Sequence, residues 1–401
     1  MKILYITTSF ANLTHTFITR EVDQLRRQGL EIELLALRRS LIHLANETEC
    51  DIAECRYIYP VNLAKLTWGL ATMLFSRPGR LCMAIRAAFA SRHDSLKERF
   101  RLLYQLSATM TCVRDVEAMA PDHIHAHLAN PPGSYAMFLG LLTGIPYSIT
   151  GHAADLYCKP VGNDTKIRLA AGMVAISEYN MRHYRELHPD LRKAEVIHCG
   201  VELDDFTFKA RGSLPLPLRI LAVGRAAEKK GFRHLLDALQ ILKERQIPYR
   251  CDLIGGGPLL DTLKQQQLDL SLDDLVIHGP LQQSEVKAML GRAHVFTLPC
   301  VIASDGDIDG IPVSLMEAMA CGCPVVSTHI SGIPELIADG ESGLLVPPEN
   351  PLALADALER LSADPDLTAR ISKGGRLKVE TEFNLAIEGQ KLERFFTSLR
   401  D

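Results

Sequence analysis

Three aspartates at alternate positions, Asp305, Asp307 and Asp309, stand just ahead of Gly310 and Glu317. Carboxylates this dense either ligate a hard cation or accept hydrogen bonds from ligand hydroxyls. A calcium loop needs its bidentate glutamate at the twelfth position. Counting from Asp305, that position is Met316, and Glu317 comes one residue late. Pro312 and the apolar run HVFTLP (294–299) also occupy the place of the entering helix. Calcium is set aside, and no metal is expected here. Ser314-Leu-Met-Glu317 also fits a capping box, in which Glu317 would only close a helix start. That leaves the aspartates unexplained. Gly310-Ile311-Pro312 leads into this helix start at Val313 and Ser314, where backbone N–H groups and the helix dipole attract anions. Acids beside such a terminus suit a ligand that carries both hydroxyls and phosphates.

A second cluster runs from Gly224 to Phe232. Gly224 lets backbone approach a ligand, Arg225 ends a strand, and Lys229, Lys230 and Gly231 open the next helix. A guanidinium and an ammonium at a strand-to-helix turn form a diphosphate clamp. Taken alone, the turn fits a solvated basic loop better; opposite an acidic loop it reads as a sugar-nucleotide site. Gly255 lies in LIGGGP, which is not a dinucleotide fingerprint because position 260 is Leu. His278 ends the following strand, where it would border a base. In the first half, His125 and His127 lie near one strand end and His152 follows another. His125 and His127 are taken to face opposite sides of their strand, which argues against a shared metal. Singly, each histidine fits a structural role better than a functional one.

These residues need elements to hold them. Short apolar runs alternate with helical segments, the pattern of parallel sheets covered on both sides. KILYIT, EIELLAL, HIHAHL, PYSITG, MVAIS and AEVIH read as strands in the first half, with helices over Thr16–Gln28 and Glu178–Leu187. RILAVG, RCDLIGG, LVIHG, HVFTLP, PVVST and GLLVP follow in the second, with helices near 230–244, 258–267, 284–291, 314–320 and 350–362. The expectation is an α/β chain of two Rossmann-like domains, 1–200 and 219–382, joined by a linker at 201–218. A C-terminal helix near 383–401 is free to pack back on the first domain. Two doubly wound domains bind ligands outside the carboxyl ends of their strands, so the expected site is a cleft between them.

With 401 residues the chain is long enough for two cores. Residues 1–200 hold 23 Lys/Arg against 19 Asp/Glu, and the remainder 21 against 29. Ten of the fourteen histidines lie in that basic first half. Ten scattered cysteines and the absence of a signal-peptide pattern fit reduced thiols and a cytoplasmic location. No apolar run reaches the ~20 residues of a membrane span. Residues 61–101 nonetheless combine the only tryptophan and several Leu, Met and Phe with eight Lys/Arg against two acids. Amphipathic helices on an anionic bilayer have this profile; a pair of domain helices with solvated basic faces fits it equally.

The constellation resembles the family 4 glycosyltransferases, retaining enzymes of the GT-B fold. The resemblance lies in Gly224-Arg225, in Lys230 within EKKGF, and in Asp309-Gly-Ile-Pro-Val-Ser-Leu-Met-Glu317 continuing as AMACGCPVVST. HCGVELDDF and SGIPELIADGESGLLVPP extend it over the second half. In the first half, Thr14-His-Thr-Phe-Ile18, IHAHLAN and SITGHAADLY are similar to members that build bacterial exopolysaccharides. The resemblance implies that Arg225 and Lys230 bind the donor diphosphate and that Glu317 holds the ribose. It implies that Asp309 and the Gly310–Ile311 backbone hold the donor sugar, with Gly224, Gly255, His278, Val313 and Ser314 around the nucleotide. His152 would reach the sugar from the other domain, and His15, Phe17 and His127 would lie on the acceptor side. It implies a nucleotide-sugar donor, a glycan or lipid-linked acceptor, no metal or other cofactor, and no nucleic acid. On the membrane reading, the protein would sit at the inner face of the cytoplasmic membrane. Two departures stand out: Asp309 replaces the usual glutamate, and His15 replaces another. The alternatives are a nucleotide-sugar epimerase and a non-catalytic sugar-nucleotide scaffold.

Overall fold

The computed structural model describes residues 1–10, 16–39, 54–91, 94–158, 160–189, 191 and 193–400. His15 lies outside them. The chain divides into two units, Met1–His198 with Gly389–Asp401, and Cys199–Glu388.

The first unit is built on seven strands: β1 (Lys2–Thr7), β2 (Glu31–Ala36), β3 (Arg56–Tyr57), β4 (His123–His127), β5 (Tyr147–Gly151), β6 (Gly172–Ala175) and β7 (Ala194–Val196). They lie in the order β3-β2-β1-β4-β5-β6-β7, all parallel. β1 is apolar without alternation because helices cover both faces, whereas β4, HIHAH, is buried throughout although its histidines alternate with Ile124 and Ala126. Leu4 and Ile6 of β1 enter one core, Ile3 and Tyr5 the other. The winding reverses between β1 and β4, so the ligand crevice of this sheet lies outside the carboxyl ends of those two strands.

Helices Thr16–Arg27 and Leu385–Ser398 cover the Tyr5 face. The second of these inserts Leu392, Phe395, Phe396 and Leu399 into that core. Gly172 makes room for it: a Cβ there would lie 2.7 Å from Phe395 Cζ. On the other face, helices Leu63–Ser76, Pro78–Ala90 and Leu96–Met110 form a layer that keeps much of its apolar surface outside. Gly69 lets the first of them lie against the Met110 carbonyl, while Trp68, Phe75, Leu96 and Phe100 are more than half exposed. Arg86, Lys97 and Arg101 are exposed on the same helices. Among the described residues, no helix is long and apolar enough to cross a membrane.

The second unit holds β8 (Leu218–Val223), β9 (Tyr249–Ile254), β10 (Leu275–Gly279), β11 (Val295–Leu298), β12 (Val325–Thr328) and β13 (Leu344–Val346), again all parallel. Their order is β10-β9-β8-β11-β12-β13, which places the reversal between β8 and β11. Residues 201–218 contribute Val201, Phe206 and Leu214 to this unit's core.

Phe396 is fully buried against His123 and His125 of β4, with ring centroids 5.7 and 5.0 Å apart. Phe396→Ala is expected to destabilise the first unit by ~3–5 kcal/mol. Urea denaturation followed by a probe in that unit would register the loss as an earlier midpoint.

Candidate active site

At the end of β8 the chain enters a loop fastened to its neighbour through backbone. Gly224 N–H donates to the Ile254 carbonyl (3.0 Å) and Ala226 N–H to that of Gly256 (2.9 Å). A Cβ on Gly255 (φ +144) would lie 1.7 Å from the Gly224 carbonyl oxygen, so only glycine fits there. The GGG run therefore serves close loop packing. Beyond it, Glu228–Lys230 forms a single 3-10 turn ended by Gly231 at φ +66. A Cβ on Gly231 would meet the Pro299 carbonyl oxygen at 1.8 Å. That close approach presses the lysine turn onto the loop after β11, where Val301 N–H donates to the Lys229 carbonyl (2.9 Å).

Across this seam the lysines meet the aspartates. Lys230 Nζ lies 2.6 Å from Asp309 Oδ2, and Lys229 Nζ bridges Asp307 Oδ1 (3.0 Å) and Asp309 Oδ1 (3.4 Å). Asp305 Oδ1 accepts from the Asp307 N–H at 3.0 Å, folding the loop back on itself. Asp305 and Asp307, without a role in the sequence reading, thus shape the loop and help neutralise Lys229. Burial alone would raise the Asp309 carboxyl, but Lys230 and Lys229 together hold it below its ordinary range. Burial alone would lower the Lys230 ammonium, yet Asp309 holds it raised. Arg225 is exposed, and its guanidinium makes no hydrogen bond or ion pair among the described residues. The cluster therefore presents one uncommitted guanidinium beside two lysines already engaged by acids.

The helix after Gly310 and Ile311 runs Val313–Ala320, with Pro312 at its N-cap and no side-chain cap hydrogen bond. The capping-box reading is thereby corrected: Ser314 is the second residue of the helix, one turn from Glu317, and cannot cap it. Val313, Ser314 and Glu317 share the partly exposed side, while Leu315, Met316 and Ala318–Ala320 are buried. Glu317 thus sits on the open side of a helix whose other side is core. His278 stands near the end of β10 with Nε2 2.6 Å from Asp252 Oδ1.

In the first unit the end of β4 carries a polar cluster. His123, His125 and His127 line one face, because residues two apart in a strand point the same way. The expectation that His125 and His127 face opposite sides is thereby overturned. His125 is held by Ser148 (2.8 Å) and Thr150 (3.0 Å), and burial lowers its pKa well below the ordinary range. His127 is fully buried, with Nδ1 3.1 Å from Glu21 Oε1 and Nε2 2.8 Å from His152 Nε2. Phe17 lies over both imidazoles, at centroid distances of 5.5 and 5.1 Å. Of the expected first-half residues, Phe17, His127 and His152 come together. The side-chain atoms of Glu21, His125 and His127 also lie close enough to hold a cation.

Asp155 and Lys166 hold the loops beneath this cluster. Asp155 accepts from the N–H groups of Ala129 (2.9 Å), Asn130 (3.2 Å) and His152 (3.2 Å), tying the β4 loop to the β5 loop. Lys166, fully buried, donates to the Ala129 carbonyl (2.7 Å) and to Asn130. Burial pushes its ammonium down to about 7, against the pull of Asp155. Leu128 leaves β4 at φ +88, a strained geometry for a branched residue, of the kind that gathers at functional sites. Tyr5, Glu21, Asp155 and Lys166 were not among the sequence candidates, and Lys229 was named in the basic turn without a role of its own. Of the four, only Asp155, three residues after His152, offered a local signal.

Residues 14–205 match the family described as Glycosyltransferase Family 4, and residues 206–378 that described as Glycosyl transferases group 1. The amylovoran biosynthesis glycosyltransferase AmsK of Erwinia amylovora is 32% identical over 417 residues, covering 100% of both chains. The putative colanic acid biosynthesis glycosyltransferase WcaL of Escherichia coli (strain K12) is 31% identical, with the same coverage. Among solved structures, Anabaena HepE in complex with UDP and glucose superposes with a TM-score of 0.72 at 15% identity, covering 99% of this chain and 100% of that one.

The Asp309–Lys230 pair sets a pH window. Asp309, held below its unfolded pKa, stabilises fully above about pH 5, and that contribution is lost as the pH falls through the depressed folded value. Lys230, held above its unfolded pKa, stabilises fully below about pH 9, and that contribution is lost as the pH rises through the raised folded value. Lys230→Met is expected to cost ~3 kcal/mol at pH 7. Chemical denaturation across pH should show this gap closing at acid pH as Asp309 protonates. A gap independent of pH would contradict the pairing.

Proposed function

We propose, for a chain that belongs to glycosyltransferase family 4 and has the GT-B fold, a retaining transfer of sugar from a nucleoside diphosphate donor to a growing cell-surface polysaccharide. That it is a glycosyltransferase is the premise; donor, acceptor and stereochemistry are the proposal. The observation that carries it is the cluster of Arg225, Lys229 and Lys230 against Asp307 and Asp309 at the reversal between β8 and β11. A diphosphate arriving at Arg225 draws Lys230 from Asp309. The lysine then stabilises charge developing on the leaving phosphate, and the released carboxylate accepts from a sugar hydroxyl. Gly310 and Ile311 present backbone beside it, Glu317 takes the ribose hydroxyls, and Gly224, Gly255, Val313, Ser314 and His278 surround the nucleotide. Fixed cations aimed at a charge that grows in the transition state are worth more than contacts made equally in the ground state. The reading gives this role to side chains, so transfer is expected to persist in EDTA.

In the first unit, His152 is assigned to a hydroxyl of the sugar substrate, and Phe17 and His127 to the acceptor side. The names of AmsK and WcaL, which concern amylovoran and colanic acid, support a polysaccharide acceptor. A cytoplasmic location, held at the inner face of the membrane, follows if the exposed Trp68, Phe75, Leu96 and Phe100 rest on lipid while Arg86, Lys97 and Arg101 meet anionic headgroups.

Two experiments test the proposal. A thermal-shift panel of nucleoside diphosphates should single out one base, since ligand at 100 times Kd stabilises by ~2.7 kcal/mol. Arg225→Ala and Lys230→Ala should lower kcat by ~10²–10³-fold with the protein still folded, and undiminished transfer by Lys230→Ala would restore the scaffold alternative. For the membrane, the protein should co-sediment with phosphatidylglycerol vesicles at low salt. Phe75→Glu should weaken that association. Equal recovery with neutral vesicles, or none with either, counts against a lipid-facing helical layer.

A further inference from the structure

Tyr5, Glu21, His127 and His152 come from four different elements and share hydrogen bonds in a fixed order. The Tyr5 hydroxyl donates to Glu21 Oε1, and His127 Nδ1 lies 3.1 Å from the same oxygen and 3.2 Å from the hydroxyl, which, its proton given to Glu21, faces Nδ1 as an acceptor. On its other side, His127 Nε2 lies 2.8 Å from His152 Nε2. We infer that Glu21 is a positioning residue for sugar transfer: through His127 it fixes which nitrogen of His152 carries the proton. The inference rests on the assignment of His152 to a substrate hydroxyl.

An ionised carboxylate only accepts, so His127 must carry its proton on Nδ1 to meet Glu21. A neutral imidazole has a single N–H, which leaves His127 Nε2 with a lone pair. Two lone pairs cannot face each other at 2.8 Å, so His152 Nε2 bears the hydrogen and donates it. His152 Nδ1 is then an acceptor, the form that receives a hydrogen bond from a hydroxyl. Should Nδ1 gain a proton, the Nε2 proton passes to His127 Nε2. One N–H forms and one breaks on His152, and the positive charge comes to rest on His127 beside Glu21. Replacing the carboxylate by a group that can also donate removes the constraint, because His127 can then carry its proton on Nε2 and turn His152 into an acceptor there. Carboxylates that orient ligating histidines act through the same logic.

The packing holds this order in place. His127 is inaccessible to solvent and Glu21 is 13% exposed, so water does not compete for the shared protons. Phe17 lies over both rings and limits their rotation. The Asp155 carboxylate fixes the His152 backbone N–H at 3.2 Å, setting where the second ring begins.

Two-bond ¹H–¹⁵N correlation spectra of the full chain labelled with ¹⁵N-histidine report the tautomer of each ring. The wild type should carry Nδ1–H on His127 and Nε2–H on His152. Glu21→Gln should shift His152 towards Nδ1–H and lower kcat ~10–100-fold, with KM for the donor within about twofold. Tyr5→Phe, which keeps the carboxylate, should leave both tautomers in place. Nε2–H on His127 in the wild type overturns the inference, and so do unchanged tautomers in Glu21→Gln. Stoichiometric zinc on the purified protein, lost in Glu21→Gln, overturns it as well, since metal would then occupy the nitrogens. If Glu21→Gln does not fold, the wild-type spectrum decides alone. Wild-type kcat in His152→Ala would instead break the assignment of His152 to the substrate, whatever the tautomers.

Discussion

The second unit is organised around a charge balance that closes across its own strand reversal. Lys229 and Lys230 reach from the loop after β8, Asp307 and Asp309 from the loop after β11, and the two loops touch because Gly231 has no Cβ to strike Pro299. Burying any one of these charges alone would be prohibitive. Together they form a polar floor at the point where a doubly wound sheet leaves a crevice. The Arg225 guanidinium stands beside this floor without a partner among the described residues, so it offers a ligand one positive charge that no acid engages, although the surrounding unit is acidic. On the proposed function, an anion attracted here would free the acids from the lysines to act as acceptors, and binding of diphosphate and of sugar would be two consequences of one exchange.

The first unit meets its ligand crevice differently. Its polar groups are histidines, a tyrosine and a glutamate, which share protons where the lysine–aspartate floor of the second unit shares charge. Hydrogen bonds of this kind are weaker than ion pairs, but they are directional and specify which atom donates. A cluster of this kind suits discrimination among hydroxyl positions more than attraction of phosphate. Lys166 and Asp155, buried below it, hold the two loops by their backbone groups, so the imidazoles stand on a fixed base.

How far this was legible in the sequence depends on the range of each interaction. Strands buried on both faces, such as KILYIT and MVAIS, are apolar runs with clear ends, and they were readable. β3, two residues long, left no signal. The DGIPVSLME segment was legible as a candidate site because its residues lie within one loop and one helical turn. The capping box within it misled, since it would put the helix start at Ser314, two residues beyond the actual N-cap at Pro312. Glu21 could not be read, because it gains its meaning from His127, 106 positions away. The error over His125 and His127 lay in the reading and not in the sequence, since alternate strand positions share a face.

The helix Leu385–Ser398 also bears on the order in which the molecule can form. The first unit is assembled from two separate stretches, Met1–His198 and Gly389–Asp401, and Phe395 and Phe396 of the second are required to close one face of its sheet. The second unit is continuous in sequence. During synthesis, Cys199–Glu388 can therefore fold as soon as it emerges, while the first unit waits with that face incompletely covered until Phe395 and Phe396 leave the ribosome. A nascent chain in that state offers an apolar sheet face to chaperones, and a short C-terminal truncation would leave it there permanently.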